Sequence, residues 1–273
     1  AKMEEVLKIC QENSLILIED CAHALGATYN GQKVGTFGGA SFFSFSRDKI
    51  ISCVYGGMVV TNDDTLSERI KKFQKEIGYP SYFWIFQQLL HPVLMNLLIL
   101  PTYRIFGKYL LILLQWFNIL SKAVHWKEKI GEKPNYFPKR LPNALAILAF
   151  NQFNKIEKFN NHRRKLADFY KKELSGTEYK IPATKEGSVF LRLPIKHQNA
   201  HKIIKEAWGK NILIGDWYDK VIAPHDTKLE RMGYKKGSCP KAEKLSQEIF
   251  NLPTHINISE LEERKILVFL KEY

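Results

Sequence analysis

Two carboxylates, one imidazole, a hydroxyl pair and one amine fall within about thirty residues near the start of this chain. An apolar run, Leu15 to Ile18, ends on Glu19 and Asp20, and His23 follows three residues later. A second apolar stretch, FFSFS, places Ser44 and Ser46 just before Lys49, and Gly56-Gly57 turns the chain into a further strand, Met58 to Thr61. A strand that ends on an acid, beside a second strand that feeds a turn with a lysine, suits an aldehyde cofactor with a pyridine nitrogen. Such a ring needs a carboxylate to keep its nitrogen protonated and an amine to bond its aldehyde carbon. Asp20 is placed for the first task, at the carboxyl end of a strand, where open α/β sheets bind ligands. Lys49 is placed for the second, as nucleophile and then proton shuttle. His23 could hydrogen-bond a ring oxygen or stack on the ring. Ser44 could reach a phosphate, with Ser46 the weaker second candidate. Taken singly, each has a plainer explanation: a strand-end Asp caps a turn, and a lysine among 41 basic residues is ordinarily solvated. The order and spacing of the set carry the reading.

The elements that must hold these groups form an α/β pattern. MEEVLKICQEN is helical, and the Leu15–Ile18, Ala40–Ser44 and Met58–Thr61 stretches read as strands. Residues 141–174 have helical spacing and stop before Ser175-Gly176. Short strands are expected at 188–193 and near 211–214, flanking a helix at 199–208, with further helices at 240–250 and 259–272. The last opens on Ser259 with Glu262 at capping-box spacing.

The block EDCAHALGATYNGQKVGTFG, followed by FSFSRDKIISCVYGGMVVTND, resembles the DegT/DnrJ/StrS family of pyridoxal-phosphate-dependent sugar aminotransferases. The resemblance resumes at KPNYFPKRLPNALAILAFNQFNKIEKFNNHRRKLADFYKKEL and at CPKAEKLSQEIFNLPTHINIS, and covers nearly everything except residues 79–132. It implies a fold-type-I α/β transferase: an incomplete large domain with a mostly parallel sheet, plus a smaller C-terminal α/β domain. Residues 1–78 would belong to the large domain, 79–134 to a hydrophobic helical insertion and 135–273 to the small domain with its long connecting helix. By resemblance Asp20 pairs with the pyridine nitrogen, His23 lies by the ring, Ser44 holds the phosphate and Lys49 bonds the aldehyde carbon. Asn135 matches an asparagine that reaches the neighbouring subunit's phosphate site. Tyr218 and His225 fall in a loop near the substrate channel. The implied reaction moves an amino group, commonly from glutamate, to a keto group of a nucleotide-linked sugar in a homodimer. Its products would serve the synthesis of cell-surface polysaccharide or glycan. Relatives with histidine in place of the lysine dehydrate their sugar instead, and a non-catalytic, membrane-tethered scaffold is the alternative of another class.

Some positions depart from the family. Gly38-Gly39 stands where Gly-Asp is usual, Val54-Tyr55-Gly56-Gly57 where Gly-Glu-Gly-Gly is usual, and Phe137 where an arginine follows the Asn-Tyr pair, with Arg140 three residues on. Neither an aromatic to cover the ring nor a phosphate-binding Gly-Thr/Ser turn stands before Leu15, so a preceding part of the cofactor domain is expected to be absent from this chain.

Composition sets outer bounds. At 273 residues with 45% hydrophobic content the chain can bury a sizeable core. Its four cysteines lack CxxC spacing, which argues against a zinc site or disulfide framework, and no metal ligand set is expected. The net charge of +13 suits acidic partners: a nucleotide sugar, an anionic membrane face or nucleic acid, the last without any recognition motif. The expected location is the cytoplasm, with a second site of residence at the inner membrane face. That addition comes from residues 81–121. The run 81–103 holds no charged residue but is broken by Pro92 and diluted by Gln87, Gln88, His91 and Asn96. A single crossing would put Lys49 and Asn135 on opposite sides, so a re-entrant or interfacial hairpin or an apolar arm on a partner subunit is expected.

Overall fold

The computed structural model describes residues 2–273, the side chain of Arg104 excepted. Two compact units are present: Ala1–His125 with Pro134–Ile156, and Trp126–Lys133 with Glu157–Tyr273. The helical segment that follows residue 78 therefore lies in the first unit up to His125, and so does α5 below.

In the first unit, α1 (Met3–Glu12) carries Glu4 and Glu5 in its first turn, where the helix dipole favours acids. β1 (Ile18–Asp20), β4 (Ala40–Ser44) and β5 (Gly57–Val60) form a three-stranded sheet in the order β1-β4-β5. β1 and β4 run parallel, and β5 returns antiparallel to β4, so the sheet is mixed. Between β1 and β4 a short hairpin, β2 (Thr28–Tyr29) and β3 (Gln32–Lys33), turns through Asn30 and Gly31. Both have positive φ (49° and 82°), the two-residue turn that Asn-Gly favours. α2 (Asp64–Ile77) is capped by Asp63, whose side chain accepts from the Leu66 amide.

The apolar segment folds as a helical hairpin. α3 (Tyr82–Leu94) is capped by Ser81 and passes into a π-helical turn at Met95–Ile99, just after Pro92. The chain turns at Leu100–Thr102 and returns through a second π-turn, Tyr103–Gly107, into α4 (Lys108–Trp116). At Gly107 a Cβ would fall on the Ile99 carbonyl oxygen, so only glycine permits this approach of the two arms.

The expected helix over 141–174 is two: α5 (Asn143–Phe153) and α6 (Ile156–Glu173), parted at Asn154 and Lys155. The second unit holds most of α6 with β6 (Arg192–Lys196), α7 (Ala200–Gly209), α8 (Pro240–Glu248), β7 (Ile249–Pro253) and α9 (Glu260–Lys271). β6 and β7 pair antiparallel around a core that includes Tyr170, Leu193, Ile203, Phe250 and Leu270. The strand expected at 188–193 begins at Arg192, and the 211–214 strand reduces to a bridge from Gly215 to Asn251. The α9 capping box is present in full.

Candidate active site

Strand alternation gives the two adjacent carboxylates opposite faces. Glu19 is 8% exposed, while Ile18 before it and Asp20 after it are exposed. Glu19 accepts from three backbone amides of one loop: Gly35 at 2.7 Å, Phe37 at 2.7 Å and Gly38 at 2.9 Å. It is thus the anchor of the 35–38 loop, a role that sequence reasoning missed although strand period pointed to it. Gly38 must be glycine here, because a Cβ would collide with the Leu17 carbonyl oxygen. Gly39 has room: its nearest neighbour would be Ile16 Cγ2 at 3.6 Å. The usual aspartate of the family at this place is therefore absent for no steric reason.

Asp20 sits at the carboxyl end of β1, paired with Phe42 of β4. Its Oδ1 accepts from the Ala22 amide at 3.0 Å, which sets the carboxylate's direction toward solvent. His23 follows, and its Nε2 lies 2.7 Å from Lys49 Nζ. This contact spans 26 positions of sequence and brings the acid-bearing strand end to the lysine-bearing loop.

That loop runs from the end of β4 to the start of β5 and is closed at its neck. Phe45 N–H donates to Gly56 O at 2.8 Å and Cys53 N–H to Phe45 O at 2.9 Å, below the Ser44–Gly57 pair of the sheet. Ser44 Oγ and Ser46 Oγ are 3.2 Å apart, and Ser46 Oγ donates to Asp48 Oδ1 at 3.3 Å. Ser44 stands two residues past Phe42, so it and Asp20 emerge at the same end of two parallel neighbours. Within the loop Val54 has φ of 73°. A β-branched side chain in the left-handed region is strained, and this is a position where the family pattern has glycine.

The flanking cysteines are not reactive. Burial, with Glu19 and Asp20 adding to it, pushes the Cys21 thiol up to about 11, and burial pushes Cys53 up to about 12. Both stay protonated at neutral pH and act as small core side chains.

The polar residues of the hairpin turn inward toward this loop. Arg47, two residues before Lys49, donates to Ser121 O at 2.7 Å, to the Ser121 hydroxyl and to Gln88 Oε1 at 3.4 Å. Its guanidinium also lies 5.3 Å from the Tyr55 ring centroid. Tyr55 in turn packs on Trp84 and on Tyr136, at 5.6 and 6.0 Å between centroids. Asn135 is exposed in the turn that leads into Tyr136. Arg140 stacks over Tyr79 at 4.9 Å.

In the second unit, Tyr218 stacks on Trp217 with centroids 5.2 Å apart, and Arg192 lies 3.5 Å over the Trp217 ring. His225 lines a cleft of about 390 Å³ with His201, Trp208, Asp216 and Asp219.

A model of the DegT/DnrJ/EryC1/StrS aminotransferase family matches residues 1–82 and 118–270. GDP-perosamine synthase of Escherichia coli O157:H7 is 31% identical over 173 residues, which is 63% of this chain and 35% of that protein. UDP-N-acetyl-3-dehydro-α-D-glucosamine 3-aminotransferase of Acidithiobacillus ferrooxidans is 25% identical over 275 residues, 99% of this chain and 60% of that protein. Among solved structures, PseC of Helicobacter pylori, an aminotransferase involved in the biosynthesis of pseudoaminic acid, shares the fold with a TM-score of 0.70 at 23% identity. It is covered over 63% of its length by all of this chain. The chain spans less than two thirds of the length of these relatives.

Proposed function

The chain belongs to the DegT/DnrJ/EryC1/StrS aminotransferase family, and from that premise we propose that it serves a pyridoxal-phosphate-dependent transfer of an amino group to a keto group of a nucleotide-linked sugar. The observation that carries the reading is the 2.7 Å contact between Lys49 Nζ and His23 Nε2, three residues beyond Asp20. Pyridoxal 5'-phosphate is the cofactor of this family, and the donor set suits it. A primary amine, an imidazole, an outward carboxylate and a hydroxyl pair stand where two parallel strands end.

Lys49 would hold the cofactor through its aldehyde carbon, Asp20 through its ring nitrogen, His23 beside the ring, and Ser44, with Ser46 behind it, through the phosphate. When bound, the group supplies an electron-poor ring that accepts the electron pair left on a substrate carbon as its proton departs. The chain's own residues do the rest. Displaced from the cofactor by the incoming substrate amine, the Lys49 amine would take that proton as a general base and, with the keto sugar in place, would give one to the acceptor carbon as a general acid. His23, in contact with the amine, keeps it oriented through the exchange. The Asp20 carboxylate would favour the protonated form of the ring nitrogen by its negative charge. Asn135 completes a phosphate site of a neighbouring subunit in a homodimer. The donor is an amino acid, glutamate by family habit, and the site of action is the cytoplasm.

Reduction with borohydride in the presence of pyridoxal phosphate, followed by peptide mapping, tests the site. Label is expected on Lys49 and absent from Lys49→Ala. A folded protein that takes no label at Lys49 overturns the reading. Amine in the sugar product, supplied by labelled glutamate, separates transfer from dehydration.

A further inference from the structure

The hairpin of α3 and α4 is where this chain departs from its family, since the matched residues stop at 82 and resume at 118. Its two faces are chemically unlike. On the inner face Gln88 is fully buried and Gln87 nearly so. Gln87 Nε2 donates to Asn118 O at 2.5 Å, and Gln88 Oε1 accepts from the Ser121 hydroxyl at 2.7 Å. The outer face is an apolar stripe in open solvent. Ile105, Tyr109, Ile112 and Trp116 recur at helical spacing and are 78%, 72%, 55% and 72% exposed. Phe86 and Leu97 of the other arm are 59% and 76% exposed. Large apolar side chains left this open along one helical stripe are the feature that marks an interaction site.

Charge selects the occupant. From Ile77 to His125 the chain contains no Asp or Glu, while Arg104, Lys108 and Lys122 are cationic. A two-fold interface sets such a patch against its own copy and brings like charges together with no acid to answer them. An anionic lipid surface satisfies the apolar stripe and the cations at once.

Geometry selects the mode. Tyr82–Ile99 is long and apolar enough to cross a membrane, roughly 27 Å as a helix. The return arm from Tyr103 to Trp116 reaches only about 21 Å, short of a hydrocarbon core of about 30 Å. Arg104 and Lys108 also follow directly on the turn at Leu100–Thr102, so tip-first entry would carry cations toward the bilayer centre. We propose that the 81–121 hairpin lies flat in the interface of an anionic bilayer, with the Ile105–Trp116 stripe in the acyl boundary and the cations at the lipid phosphates.

The test is flotation of the full chain with phosphatidylcholine vesicles and with phosphatidylcholine–phosphatidylglycerol vesicles, at low and high salt. Binding is expected to the mixed vesicles, about tenfold weaker to phosphatidylcholine alone and weakened by salt. The double variant Ile112→Asp/Trp116→Ser is expected to lower partitioning by at least about tenfold, with its circular dichroism and melting curve unchanged. Failure to float with the mixed vesicles, or equal flotation of the double variant, overturns the proposal. So does sedimentation velocity without lipid, if the protein self-associates through this stripe and the double variant dissociates while neither binds vesicles.

Discussion

The Arg47 guanidinium is held by both ends of one residue, donating to the Ser121 main-chain oxygen at 2.7 Å and to the Ser121 hydroxyl as well. The two residues are 74 positions apart, one in the loop that carries Lys49 and the other at the base of the apolar hairpin. Burial draws the guanidinium below its ordinary value, opposed by Tyr55 and Tyr136 beside it. The hairpin therefore braces the loop that carries Lys49.

Removing that brace has a graded outcome. Arg47→Ala leaves Gln88 and Ser121 short of a donor and is expected to destabilise the first unit by about 2–3 kcal/mol. Ser121→Ala keeps the main-chain acceptor and is expected to cost about 1 kcal/mol. Urea titration checks both values. The borohydride label at Lys49 should fall in Arg47→Ala even in buffer where that variant is folded.

The adjacent carboxylates predict opposite phenotypes. Glu19→Gln replaces one acceptor oxygen by an amide NH2 whose donors face backbone N–H groups, and should cost about 2–3 kcal/mol. Asp20→Asn alters an exposed side chain and should stay within about 0.5 kcal/mol of the parent, yet lose retention of pyridoxal phosphate. Thermal melts alongside absorbance after gel filtration read the two effects separately.

Gly38→Ala tests the loop from the other side. Its new methyl meets the Leu17 carbonyl oxygen, and the strand or the loop must yield. A loss of about 1–3 kcal/mol is expected. Gly39→Asp, where space exists and the family pattern has aspartate, should be tolerated within about 0.5 kcal/mol.

His91 sets an acid limit. Its imidazole sits behind Arg47, and burial, then the Arg47 charge, push it down to about 4. A group whose folded value is depressed binds its proton first in the unfolded chain, so stability is lost as pH falls from about 6.5 toward about 4. Melting temperature should drop across that window, and His91→Gln should flatten the drop.

What could be read from the residues was the part that chemistry imposes locally. Asp20, His23 and Lys49 stood out because their types and order match one task, and the structure brings His23 to Lys49; the Ser259–Glu262 cap was legible because it needs only four residues. The helix break at Asn154 and Lys155 was not legible, since the apolar spacing continues through it and neither residue is a strong breaker. β7 was hidden because Asn251 within it, and Thr254 just after it, look like surface residues yet are buried at 5% and 0% exposure. Gln87 and Gln88 misled in the same way: they dilute an apolar run in sequence, but in space they are its inward face. In each case a polar residue drew its place from partners far along the chain.

The alternation at Glu19 and Asp20 carries one more consequence, for the birth of the molecule. Were β1 to pair with β4 one position out of step, the two acids would trade faces. Asp20 would enter the cradle of three amides with a side chain one carbon too short, and Glu19 would take the solvent position. Such a chain would leave its cradle unfilled and would no longer present Asp20 beside His23. One step of register thus costs stability and the placement of Asp20 together.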